Sequence, residues 1–282
     1  MFHLDITNET GDTITLTQNG RYSVVDIGGL NPPSAIINTS IVSTNDGAYF
    51  NSARLDIRNI VITLAIHGQI EKNRIALYKY FKTKKQCKIH YSNESRDVVI
   101  FGYVETIDNN FFVQSQMVQI SILCLQPYFQ SAAEIVTDIS QILALFEFPF
   151  DLDEAGEEFS VIDKTLSQSI INNGDVETGI IIELSVVGHV VNPIVYNSDT
   201  MERFGLKITL ESGDVIRINT NQGEKKVELI RGGKTTNAIN YITPDSSWFT
   251  LATGDNIFTY TCETGDEFLN VKFIHSDKYE GV

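Results

Sequence analysis

Short runs of alternating apolar and polar residues fill the first half of the chain. Thr13-Ile14-Thr15-Leu16-Thr17 alternates, as does Arg54-Leu55-Asp56-Ile57-Arg58. Residues 61–66 resume the pattern after a slip at Asn59-Ile60. Val98-Val99-Ile100-Phe101 and the long stretch 111–125 follow. Runs rich in Val, Ile, Thr and Phe with a period of two predict half-buried strands. Asn19-Gly20, Gly28-Gly29, Asn31-Pro32-Pro33, Asp46-Gly47 and Asp108-Asn109-Asn110 separate them as turns.

One segment has the other period. Over residues 70–84 the apolar positions Ile70, Leu77, Tyr78 and Phe81 recur at helical spacing, with no Gly or Pro between them. Arg74 can lay its stem along the same face. The spacing predicts one amphipathic helix laid across a sheet.

Around residue 130 the pattern loosens. Residues 131–150 are apolar but poorly periodic, and an acidic run follows at 151–158. We expect a linker over residues 134–165, with one short helix near 132–145. Its apolar content means that it lies over a surface. Strand patterns then resume at 180–191, 206–210, 215–220, 226–230, 248–251, 256–260 and 268–274. Turns at Ser212-Gly213-Asp214, Gly232-Gly233, Thr253-Gly254-Asp255 and Thr264-Gly265-Asp266 punctuate them. Many short strands at this spacing predict a β-sandwich. The fold class is therefore mainly β, with domains at 1–133 and 166–282 joined by the 134–165 linker. A chain of 282 residues is of a size that divides in two.

Charge sharpens this division. Residues 1–133 hold 11 basic and 11 acidic residues; residues 134–282 hold 10 and 25. The whole net charge of −15 thus belongs to the second part. An acidic surface repels nucleic acid and anionic lipid, so neither is an expected partner. The apolar runs are too short to span a bilayer, and no secretion signal is expected. Seven basic residues lie within 72–88. Lys72, Lys79, Lys82 and Lys85 are the candidate interface, facing an acidic partner or a neighbouring subunit. The plainer reading of such a run is a solvated face.

The chain carries little else that suggests chemistry. His3, His67, His90, His189 and His275 are scattered, and Cys87, Cys124 and Cys262 are widely spaced. Neither set has metal-site or disulfide spacing. Cys87 has lysine neighbours that could lower its pKa, yet it opens a strand pattern and reads as structural. Asp151, Asp153 and Gly156 echo a calcium loop, but Ala155 and Ile162 stand at ligand positions and the match fails. No phosphate-binding, dinucleotide or nucleophile-elbow motif is present. We expect no enzyme, cofactor or metal. Trp248, the single tryptophan, is a candidate sugar platform and equally a candidate core residue.

One ordered set of residues carries a resemblance. It runs Pro33-Ser34-Ala35, Asp46-Gly47, Arg54, then Arg58-Asn59-Ile60-Val61-Ile62. Asn73-Arg74-Ile75-Ala76-Leu77-Tyr78-Lys79-Tyr80-Phe81 and Phe101-Gly102-Tyr103-Val104-Glu105 follow, and then residues 119–129. The second half adds Asn173-Gly174-Asp175, Ile218-Asn219-Thr220, Ser246-Ser247-Trp248-Phe249 and Tyr279-Glu280-Gly281-Val282. This series resembles the phage distal tail protein family, the hub or baseplate component of siphophage tails. The resemblance implies an N-terminal β-sandwich with one helix, and a C-terminal galectin-like or jelly-roll β-sandwich. It implies a homohexameric ring that joins the tail tube protein to tail-tip, tail-associated or receptor-binding proteins. The place implied is the virion tail, assembled in the bacterial host cytoplasm. The alternative is a carbohydrate-binding module contacting host cell-wall glycans through the second domain.

Overall fold

The computed structural model describes residues 2–44, 46–110, 116–139, 141–144, 160–163 and 167–282. The chain forms two compact units, residues 1–132 with 278–282 and residues 133–277.

The first unit contains β1 (His3–Asn8), β2 (Thr13–Leu16), β3 (Tyr22–Gly28), β4 (Ala35–Ser40), β5 (Tyr49–Leu55) and β6 (Arg58–Ile66). The helix α1 (Ile70–Leu77) follows, then β7 (Gln86–Ser92), β8 (Asp97–Asn109), β9 (Met117–Cys124) and β10 (Phe129–Ser131). One antiparallel sheet runs β2-β1-β7-β8-β9-β6-β3. It curls until its two edges meet, where Thr17 bridges Ser23 and the Val24 N–H donates to the Thr17 carbonyl at 2.8 Å. A strand edge is a template for unwanted pairing, and this closure removes most of it. The alternation read in β6 is literal. Ile60, Ile62, Leu64 and Ile66 point inward and are buried, while Asn59, Val61, Thr63 and Ala65 face outward. Leu4, Ile6, Ile120 and Ile122 meet them in one core. Burying each such side chain contributes roughly 1.5–3 kcal/mol.

The helix is shorter than its spacing predicts. Leu77 and Phe81 are buried as expected, but after Leu77 the chain tightens, with the Tyr78 N–H donating to the Ile75 carbonyl at 3.2 Å. The ladder to β8 then captures it. The Lys84 N–H donates to the Val104 carbonyl at 2.9 Å, and Lys84 takes a left-handed φ of 66°. Three of the basic positions expected on the helix therefore sit beyond it. Residues 111–115 of the long predicted strand lie outside the described residues, and Asp108-Asn109, read as a turn, ends β8.

The second unit begins with β11 (Ile135–Asp138), β12 (Gln141–Ala144) and β13 (Ser160–Asp163). The short helix expected near 132–145 is thus replaced by strands in its described part. The β-branched run Ile135-Val136-Thr137 favours extended backbone, and β11 completes the edge of a sheet. The acidic run 151–158 lies outside the described residues. Next come β14 (Ser167–Asn172), β15 (Ile181–Val186), β16 (Val190–Val191), β17 (Ile194–Asn197), β18 (Glu202–Gly205) and β19 (Thr209–Leu210). They are followed by β20 (Val215–Asn219), β21 (Lys226–Arg231), β22 (Lys234–Asn237), β23 (Gly254–Thr261) and β24 (Leu269–His275). A six-stranded sheet, β11-β24-β15-β20-β21-β22, and a four-stranded sheet, β14-β23-β17-β18, share one core, so this unit is a β-sandwich. Ile182, Ile218 and Phe273 come from the first sheet, Val195, Phe204 and Phe258 from the second. Residues 248–251, predicted as a strand, make only a bridge between Leu251 and Thr178.

The last strand, β25 (Lys278–Tyr279), returns to the first unit and pairs antiparallel with β10. Within that unit the exit and return strands therefore lie side by side.

Candidate functional site

Among the described residues, no group of three or more His, Cys, Asp or Glu could hold a metal. Among the same residues no helix is long and apolar enough to cross a membrane. Burial pushes the Cys87 and Cys124 thiols up to about 12, so neither is poised as a thiolate. What the structure offers is surfaces and the devices that fix them.

The first surface is the basic run. Lys79 Nζ pairs with Asp12 Oδ1 at 2.6 Å, and Lys85 Nζ with Glu9 Oε2 at 3.1 Å. Both acids lie at the turn between β1 and β2. A hydrogen bond from Lys79 holds the Asp12 carboxyl below its usual range. A hydrogen bond from the Gln86 backbone N–H, helped by Lys85, does the same for Glu9. Two of the four candidate interface lysines are thus engaged within their own unit. Lys82 lines a cavity of about 160 Å³ beside Glu9 and Tyr80, and Lys72 is exposed on the first turn of α1.

The second surface is the β4–β5 ribbon. Among the described residues these strands pair only with each other. Apart from Ile36 and Leu55, every strand residue in them is exposed, on both faces. Ile41 at the ribbon's tip is 79% exposed and Phe50 is 69% exposed. The turn signals on either side were legible in the sequence. The exposure was not, because Ile and Phe in a strand read as core.

The device that sequence reading missed is Arg58. Its side chain is buried, and its guanidinium donates to the carbonyls of Gly29, Asn31, Pro127 and Glu280. It also lies 4.5 Å above the Phe129 ring centre. A buried guanidinium needs its donors satisfied, and its planar fork can serve several acceptors at once. Arg58 ties the loop after β3, the approach to β10 and the returning segment into one knot. Arg96 covers the Tyr279 ring at 4.0 Å, and the Val282 N–H donates to the Leu30 carbonyl at 3.2 Å.

In the second unit Trp248 is half-buried. It packs edge-on against Phe204 with ring centres 5.2 Å apart, and Lys225 Nζ lies 5.7 Å from its ring centre.

Comparison with known proteins meets this geometry in both units. Residues 9–124 match the phage tail protein RIFT-related domain. Residues 173–276 match the siphovirus-type tail component, C-terminal domain. The Dit protein (gp 19.1) of phage SPP1, described as a paradigm of the hub adsorption apparatus in Gram-positive-infecting phages, superposes with a TM-score of 0.71. The two chains are 12% identical, and the match covers 98% of each. A chain of the phage p2 baseplate, in its activated conformation with Sr, gives a TM-score of 0.59 at 13% identity over 100% of both. No curated protein matches. The two units define a siphovirus-type tail component, a structural part of the virion tail. Within that class, the chain belongs to the phage distal tail proteins, whose fold it shares along nearly its whole length.

Proposed function

We propose that six copies of this chain close a ring through their first units, joining the tail tube to tail-tip and receptor-binding proteins. The observation that carries this is the uncovered β4–β5 ribbon on a unit whose charges balance. A two-stranded ribbon is marginally stable alone in water and needs a partner to cover it. A unit with 11 basic and 11 acidic residues in its first 133 positions can pack against copies of itself without strong repulsion. The acidic second unit is then free to face solvent or partner proteins. Native mass measurement and electron microscopy of the full chain test the ring. A closed six-membered species is expected. A chain that stays monomeric at high concentration, and in isolated particles as well, sinks the proposal.

The alternative, glycan binding by the second unit, rests on the exposed part of Trp248. Its packing on Phe204 and the nearby Lys225 favour a structural role. Titration with host cell-wall polysaccharide decides it: no heat at millimolar glycan removes the alternative.

A further inference from the structure

We infer that the β4–β5 ribbon of one copy docks on an apolar patch of the next copy, formed by Ile57, Phe101, Tyr103 and Leu125. This rests on the ring reading and names the two surfaces that make its contact.

The patch follows from strand register. Along β8, Ile100, Gly102 and Val104 are buried, while Phe101 and Tyr103 point outward and are exposed. Outward positions of a one-sided sheet are ordinarily polar. Tyr103 stands opposite Leu123 on β9. Arg58 stands opposite Cys124, so Ile57 and Leu125 lie one residue beyond that pair on adjacent strands. Both are exposed. Four large apolar side chains therefore gather at one end of one outer face. The strand beneath them is fixed. A Cβ on Gly102 would come within 2.6 Å of Ile122 Cγ2 and 2.8 Å of the Cys124 sulfur, so β8 lies tight on the core. The patch is a rigid receiver.

The ribbon is its complement. Between residues 35 and 55 the sequence has only Asp46 and Arg54 as charged residues, and Ile37, Ile41 and Phe50 stand in solvent. Its length is on the scale of one side of a standard protein interface, about 20–30 residues.

The occupant is a second copy because a closed ring needs a head-to-tail contact between two different surfaces of one protomer. This unit supplies both. The main sheet has closed its own edges at Thr17 and Ser23, so the ribbon meets that sheet on a face, through side chains.

The test uses the full chain and native mass measurement at matched concentrations. One variant carries Ile41→Lys with Phe50→Lys, the other Phe101→Lys with Tyr103→Lys. All four positions are exposed, and unchanged thermal unfolding checks each fold; Phe101→Ser is the milder substitute. Each variant is expected to lose the ring, needing about tenfold or more higher concentration to associate. Mixed together, the two variants should form one-to-one pairs and stop there, since only one competent contact exists between them. If the wild-type chain forms rings and both variants do too, or the mixture yields only monomers, the inference is overturned while the ring stands. If the wild-type chain never assembles, the ring reading falls and this inference with it.

Discussion

Arg58 in the first unit and Asp214 in the second are both buried charges, and the two units hold them in opposite ways. Arg58 is held by four backbone carbonyls drawn from positions as far apart as Gly29 and Glu280. Asp214 is held locally, by Arg231 on the paired strand and by the Glu211 N–H three residues away. The first charge is a long-range staple that fixes where the chain leaves and re-enters its unit. The second pins one hairpin. The difference suits the roles argued above: the unit proposed to build a ring needs a rigid frame at its exit, whereas the sandwich needs only its own turns held.

The largest expected effect breaks that staple. Arg58→Met keeps much of the stem and leaves a buried pocket without its donor and four carbonyls, those of Gly29, Asn31, Pro127 and Glu280, without their partner. An orphaned group costs about 1–3 kcal/mol where water cannot reach it, and less where it can, as at exposed Asn31. We expect a loss of about 3–5 kcal/mol, confined to the first unit. Denaturant unfolding followed by unit-specific probes checks it, and amide exchange should show residues 278–282 released first. A loss shared equally by the two units would mean that Arg58 is no local staple.

Next come two glycines that make the units alike. Gly29 and Gly265 have φ of 87° and 92°, and a Cβ on either would lie 2.1 Å from a carbonyl oxygen, that of Asn59 or His189. Alanine at each meets both left-handed strain and a backbone clash. A cost of about 2–4 kcal/mol is expected, each in its own unit. Gly213, with φ of 90° and nothing within 4 Å, is the control and should lose only about 1–2 kcal/mol on change to alanine. Melting curves of the three variants separate clash from strain; equal losses would show that the carbonyl contact is immaterial.

These residues also mark where sequence reading ends. The strand alternation of β6 and β8 was legible because each side chain chooses one face of a sheet. The approximate place of the helix was legible from Leu77 and Phe81. Its end was not, because the ladder between Lys84 and Val104 overrides helical spacing from a distant strand. Residues 135–138 read as helix because β11 is an edge strand whose Val136 stays exposed, which hides the strand alternation. Arg58 could be seen as a residue, never as a staple: its partners are backbone carbonyls, and a carbonyl has no signature in sequence. Phe101 was legible as a strand residue, while its outward orientation depends on register and on the closure of the main sheet.

A smaller effect probes the local pin. The hydrogen bond from Arg231 holds the Asp214 carboxyl below its ordinary value. A depressed folded pKa contributes stability above the unfolded value of about 3.9, and that stability is lost as pH falls through the folded value. Asp214→Asn should cost about 1–2 kcal/mol at neutral pH and progressively less at acid pH, as the wild-type carboxyl takes up its proton. Denaturant titrations of the second unit at neutral and acid pH test this. A pH-independent cost would assign the loss to packing and not to charge.

The smallest effect concerns a third buried group, one that the second unit holds neutral. His275 is buried on β24, with Nε2 3.2 Å from the Ile171 carbonyl and 3.5 Å from Asp277 Oδ1. Burial lowers its pKa, and Asp277 opposes that shift without reversing it. Above about pH 6.5 the ring is neutral in both the folded and unfolded chain and adds no pH dependence. As pH falls below that value the unfolded chain takes up a proton that the folded unit resists, so stability declines until the folded pKa is reached. His275→Gln keeps a polar side chain in place and removes the proton. The second unit of this variant should show a flatter stability profile between pH 6.5 and the folded value, with the first unit unchanged. Thermal unfolding across that range decides it: an equally steep decline in the variant would place the responsible proton elsewhere, and a decline in the first unit would show that the two units do not titrate independently.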